Sequence, residues 1–191
     1  MHETQNNMLS ENLIQSLIEQ SEQIIRQAEK LKKDDLSTLT WRLNDTSWNI
    51  LECLEHLNLY GDFYLAEIEQ KIQNSKSKSE VEFKSGFLGA YFARTMLPKE
   101  KLNKMNTFKD KNPLNARLDK SVIDRFIEQQ TKLLDLLNKS RNVSLNKVRI
   151  NISISKLMSL KLGDTFQFYV NHIQRHLKQI ERIQSEMKHT G

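Results

Sequence analysis

Only five glycines and two prolines interrupt 191 residues, and that scarcity constrains the fold more than any other feature. A strand-rich sandwich or barrel turns roughly every ten residues, and turns draw heavily on both residue types. Long helices are what so little punctuation permits. The hydrophobic periodicity agrees. From Ser10, read as an N-cap, Leu13, Ile14, Leu17, Ile18, Ile24, Ile25, Ala28 and Leu31 recur at three-and-four spacing, which predicts an amphipathic helix over 10–33. A second helix is predicted over 47–73, with Ile50, Leu54, Leu57, Tyr64 and Ile68 on one face and Asp45, Thr46 and Ser47 as candidate caps. A third follows over 119–139 around Val122, Phe126, Leu133 and Leu137, and a fourth over 164–188 around Phe166, Val170, Ile173, Leu177 and Ile180. The fold class expected is all-α: a single domain across 1–191, built as a four-helix bundle with a long crossover, 74–118, between helices two and three. Within that crossover 86–96 reads as a short helix. Residues 147–155 alternate as a strand does, through Val148, Ile150, Ile152 and Ile154. With no partner evident, they are read as an extended lead into the last helix.

Charge narrows the class of function. The chain carries 29 Lys+Arg against 24 Asp+Glu, a net +5. Between residues 71 and 111 there are ten basic and four acidic residues, so the whole surplus sits in the crossover and the helices are nearly neutral. A nucleic-acid binder needs its basic residues on one folded face, so no nucleic-acid partner is expected. The lone Cys53 excludes a disulfide framework and a cysteine-based zinc ribbon, and reads as a small buried hydrophobe. Residues 1–7 lack the basic and apolar regions of a signal peptide, and no apolar run is long enough to span a bilayer. The expectation is a cytoplasmic protein without a membrane partner.

Three histidines lie away from the chain ends. His172 and His176 are four apart on the last helix, so their imidazoles project from one face a turn apart, a spacing that lets two nitrogens reach one metal ion. His56 stands at the margin of the second helix's apolar arc, with Glu52 one turn earlier on the same side. One ligand from the second helix and two from the fourth would leave a coordination position open. The metalloprotease pattern His-Glu-x-x-His is absent, because Gln174 and Arg175 fill the inner positions. Glu52 is therefore the candidate general base. Tyr60 and Tyr169 are candidates for orienting a substrate.

The segment Ser47-Trp48-Asn49-Ile50-Leu51-Glu52-Cys53-Leu54-Glu55-His56-Leu57, followed by Leu162-Gly163-Asp164 and by His172-Ile173-Gln174-Arg175-His176, resembles the DinB/YfiT-like family. These are bacterial four-helix-bundle metalloenzymes, distinct from the DNA polymerase that shares the name. The resemblance implies that His56, His172 and His176 are metal ligands and that Trp48 is a structural tryptophan. Zinc is the first expectation for three imidazoles, with nickel or iron as alternatives. An ion with an open position activates either a thiol or a water. Because the family includes transferases and isomerases of low-molecular-weight bacterial thiols, an anionic thiol is the expected partner, its carboxylates meeting Lys84, Arg94 or Lys99. A hydrolase and a non-catalytic interaction bundle remain as alternatives, and a homodimer is expected from relatives.

Overall fold

The computed structural model describes residues 7–97, 107–153 and 155–190. In chain order the elements are β1 (Asn7–Leu9), α1 (Ser10–Leu31), α2 (Leu36–Thr40), α3 (Ile50–Gln73), β2 (Glu82–Lys84) and α4 (Phe87–Met96). A 3-10 turn at Lys109–Lys111 precedes α5 (Ser121–Ser140), and β3 (Arg149–Ile152) and β4 (Ser155–Lys161) lead into α6 (Leu162–Thr190). The described chain is mostly helical. Helix α1 packs against α5 and α6, and α3 packs against the same two, so each long helix buries its apolar stripe between two neighbours. Leu13, Ile14, Leu17, Ile24, Ala28 and Leu31 of α1 are all buried, as their spacing requires. None of the described helices is long and apolar enough to cross a membrane.

The mostly helical chain agrees with the all-α class, and two small antiparallel sheets accompany the helices. Strand β1 pairs with β2, Met8 opposite Phe83. The alternating stretch also has a partner: β3 pairs with β4, Ile150 opposite Leu160, with an irregularity between Asn151 and Ile152. The partner was hidden because residues 155–161 contain no β-branched side chain and do not alternate, so neither propensity nor period marks them as a strand.

Helix α3 starts at Ile50, three residues later than expected, because Asn49 caps it rather than Asp45, Thr46 or Ser47. Its side chain accepts the Glu52 N–H at 2.9 Å while the Glu52 carboxylate accepts the Asn49 N–H at 2.9 Å, a reciprocal capping box. The residues ahead of it form a turn on Asn44, whose Oδ1 accepts the Thr46 N–H at 3.1 Å and the Ser47 hydroxyl at 2.9 Å. Similarly, α1 begins at Ser10 itself, with Leu9 in the capping position.

Helix α4 is held to the first turn of α6 by Asp164. Its carboxylate accepts the Gly86 N–H at 2.9 Å and the Ser85 hydroxyl. A Cβ at Gly89 would lie 2.1 Å from the Asp164 carboxyl carbon, so only glycine allows this approach. Near the other end of α4, the Asn171 amide donates to the Ala93 carbonyl at 3.0 Å. These contacts fix α4 as one wall of the cavity described next.

Candidate metal centre

His56 on α3 and His172 and His176 on α6 converge. Helices α3 and α6 pack together, and His56, Tyr60 and Tyr64 descend one while His176, His172 and Phe168 ascend the other. All three histidines are buried, and their ligand atoms lie within 4.8 Å of one another. His172 Nε2 is 3.3 Å from His56 Nε2 and 3.1 Å from His176 Nε2.

Hydrogen bonds fix the tautomers of two of the rings. His56 Nδ1–H donates to the Lys111 backbone carbonyl at 2.7 Å, and His176 Nδ1–H donates to the Gln179 side-chain oxygen at 3.0 Å. Both therefore present an Nε2 lone pair inward, the arrangement that outer partners commonly impose on metal-binding histidines. His172 Nδ1 is buried and has no hydrogen-bond partner among the described residues. If its proton sits on Nε2 it serves two facing lone pairs with one hydrogen. If the proton sits on Nδ1, three lone pairs face one another. A cation satisfies all three at once. Two nitrogens bound tetrahedrally at zinc distances are about 3.3 Å apart, close to the separations of His172 Nε2 from the other two rings. The donor set thus fits a divalent transition ion.

Burial also keeps these rings in the neutral form that binds metal. It pushes His56 down to about 4 and, aided by the neighbouring His56, His176 down to about 3. His172 is held well below the ordinary histidine range by burial and by both neighbours.

The cluster lies in the wall of a cavity of about 870 Å³. Trp48 packs its ring 4.8 Å from His56 and 5.9 Å from His176, and its indole N–H donates to Asn112 Oδ1 at 3.1 Å. On the other side the Tyr60 ring is 5.0 Å from His56 and 4.8 Å from His172. Burial pushes the Tyr60 hydroxyl up to about 12, so it stays protonated at neutral pH. The Lys111 ammonium lies over that ring at 5.9 Å and donates to the Leu59 carbonyl at 3.1 Å, tying the 3-10 turn to α3.

Of the other expected site residues, only Tyr60 faces this cavity. Glu52 is fully buried beneath it: its Oε1 accepts the Asn115 N–H at 2.6 Å and an Arg42 N–H at 3.0 Å, besides the capping box at Oε2. Those bonds engage both carboxylate oxygens, so its position gives no support to a general base. Tyr169 is fully buried away from the cavity, its hydroxyl directed towards Gly61 and Gln129, and Arg94 is exposed on α4 outside the lining. Lys84 does not line the cavity either, and Lys99 lies outside the described residues. Cys53 is a buried free thiol, pushed up by burial, as a small hydrophobe would be.

The sequence reading missed Gln179, Phe168 and Arg182 in the lining and the Lys111 carbonyl behind His56. Gln179 had a signal, standing one turn beyond His176 on the same helix. The Lys111 carbonyl had none, since every residue carries one.

No curated protein and no solved structure matches the chain. A family model described as the DinB superfamily matches residues 17–180, a span that includes all three histidines. With most of its length matched, and with the three histidines drawn together, the chain belongs to the DinB superfamily.

Proposed function

We propose that the protein is a metal-dependent enzyme of small-molecule chemistry, in which His56, His172 and His176 hold a divalent transition ion, zinc before nickel or iron. We read its four long helices as one bundle with a crossover between α3 and α5. The observation that carries the proposal is the convergence of three neutral, buried imidazoles on the wall of a cavity of about 870 Å³. When bound, such an ion supplies Lewis acidity that lowers the pKa of a thiol or water beside it. The chain's own groups do the rest. The Lys111 carbonyl and Gln179 aim two of the ligands, Trp48 and Tyr60 shield them from bulk water, and the Tyr60 hydroxyl is a hydrogen-bond donor at neutral pH.

A thiol is favoured over water as the activated group by one feature of the lining. Activating water for hydrolysis calls for a general base, yet the only carboxylate among the described lining residues is Glu186. It stands ten residues beyond His176 on α6, about 15 Å along the axis. A thiol has a pKa of about 8.5 and needs much less help to ionise. The partner proposed is a small anionic thiol, the compartment cytoplasmic, and the assembly a homodimer.

Elemental analysis of untagged protein tests the metal reading. One transition ion per chain is expected, with none in the His172→Ala/His176→Ala double variant. A folded wild-type protein that takes up no zinc, nickel, iron or cobalt would leave the non-catalytic interaction bundle as the better reading.

A further inference from the structure

Helix α4 is apolar on nearly every side, yet only part of it is covered. Its residues run Phe-Leu-Gly-Ala-Tyr-Phe-Ala-Arg-Thr-Met, with Arg94 the one charge. A helix of that composition is ordinarily buried all round. Gly89 and Ala93 do face α6, and Phe92, Thr95 and Met96 line the cavity. The remaining side carries Phe87, 81% exposed, Leu88, 47%, and Tyr91, 59%. At positions i, i+1 and i+4 these three form one outward stripe. Tyr91 also lines the cavity, as does Phe108, which is 50% exposed, so the apolar surface continues to the cavity's rim.

The charge around this stripe is in excess of one sign. Lys84 ends the strand before α4, Arg94 stands on the helix itself and Lys109 follows Phe108. None of these three makes an ion pair among the described residues. Lys161 lies against Gly86 at the start of α4, its ammonium donating to the Lys84 carbonyl at 2.6 Å, and Arg149 stands opposite it across the hairpin. Those two share the single carboxylate of Asp164, which is buried and already bonded to Ser85 and Gly86. Of the described acidic residues in the crossover, Glu80 pairs with Lys147 at 2.9 Å and Asp110 with Lys111 at 3.7 Å, so Glu82 is the exposed exception.

We infer that this face docks the protein on an anionic lipid surface, with Phe87, Leu88 and Tyr91 entering the boundary between headgroups and acyl chains while the surrounding cations meet lipid phosphates. An apolar helix face inside a basic surround is how interfacial helices hold to a bilayer. Shape favours lipid over protein, because these side chains protrude from a convex helix, whereas helical peptide partners lie in grooves. A second copy fits less well, since apposing two such faces brings like charges together. Surface attachment needs no spanning helix, and none is present among the described residues. It departs from the expectation of a chain without a membrane partner, which rested on the length of apolar runs, and it stands independently of metal binding.

The test is co-sedimentation of the full chain with vesicles of phosphatidylcholine alone or mixed with phosphatidylglycerol. Binding to the anionic vesicles should be at least about tenfold tighter and should weaken as salt is raised. Lys84→Gln/Arg94→Gln should weaken it about 25-fold, at about fivefold for each cation removed from the surface. Lys30→Gln/Lys33→Gln, which removes the same charge near the end of α1, should leave it within about twofold of wild type. Phe87→Ser/Leu88→Ser should weaken it about tenfold or more. Circular dichroism melts verify that every variant folds, since all six side chains are exposed. No binding to anionic vesicles, equal binding to both kinds, or the same loss in both charge variants would overturn the inference. So would unchanged binding in the serine variant. A dimer in solution that the serine variant dissolves, with no vesicle binding by the wild type, would overturn it and assign the face to a second copy of the chain.

Discussion

Replacing Glu52 by glutamine separates a structural carboxylate from a catalytic one. The wild-type side chain receives the Asn49 N–H at one oxygen and the Asn115 N–H and the Arg42 guanidinium at the other. Glutamine keeps one acceptor and turns the other into an NH2 donor facing a donor, and it leaves the Arg42 charge without its counter-ion. Glu52 is fully buried, whereas the Arg42 side chain is 23% exposed. The loss therefore belongs at the lower end of the range for breaking a buried pair, about 3 kcal/mol. For a chain of this size that corresponds to a fall in melting temperature of about 6–12 °C. Thermal unfolding followed by circular dichroism measures it directly, and metal content measured well below the transition should stay at the wild-type level, because Glu52 does not line the cavity. A melting temperature within about 2 °C of wild type, together with loss of any turnover found for the enzyme, would refute this reasoning and restore Glu52 as a base.

Two further outcomes follow from the histidine cluster. Gln179→Leu removes the acceptor that orients His176, so zinc affinity measured by chelator competition should fall about 10–100-fold with the fold intact; unchanged affinity would mean that the ring is held by packing alone. In metal-free protein the stability should depend on pH between about 4 and 6.5. Unfolded histidines bind protons below about 6.5, but folded His56 does so only below about 4 and His176 only below about 3. The unfolded state therefore takes up protons that the native state refuses, and native stability is lost as pH falls through that window, at up to roughly 4 kcal/mol per pH unit for three such rings. Urea midpoints that stay flat from pH 7 to pH 5 would contradict the burial of these imidazoles.

The sequence made the long helices and all three histidines legible because each is written as a local period. Leu13 to Leu31 and Phe166 to Ile180 repeat at helical spacing, and His172 and His176 share a face by arithmetic alone. Features that depend on contacts between distant residues were not legible. Glu52 looked like a candidate base because its helix position points it the same way as His56, and only the chain folding back at Asn115 and Arg42 commits it elsewhere. Arg94 looked available as a carboxylate partner from its place in a basic segment, whereas Arg175 and Arg182, distant in sequence from the crossover, are the arginines among the described residues that line the cavity. The β4 strand escaped notice because its pairing with β3 is carried by backbone bonds that Lys, Leu, Met and Ser do not advertise.

The partner of His56 is a main-chain oxygen, and that gives the two oriented ligands different tolerances to inherited change. Almost any residue at position 111 still presents a carbonyl there, so a substitution at that codon removes the side-chain tie to Leu59 but not the acceptor itself. Adding or removing a single residue between Thr107 and Leu118 moves the carbonyl out of reach and frees His56 to rotate. Position 179 is the mirror case: a point change there abolishes the acceptor. Within one three-histidine cluster, then, one ligand is guarded by the length of a loop and another by the identity of a side chain, and drifting lineages of this protein can vary at 111 far more freely than they can gain or lose residues around it.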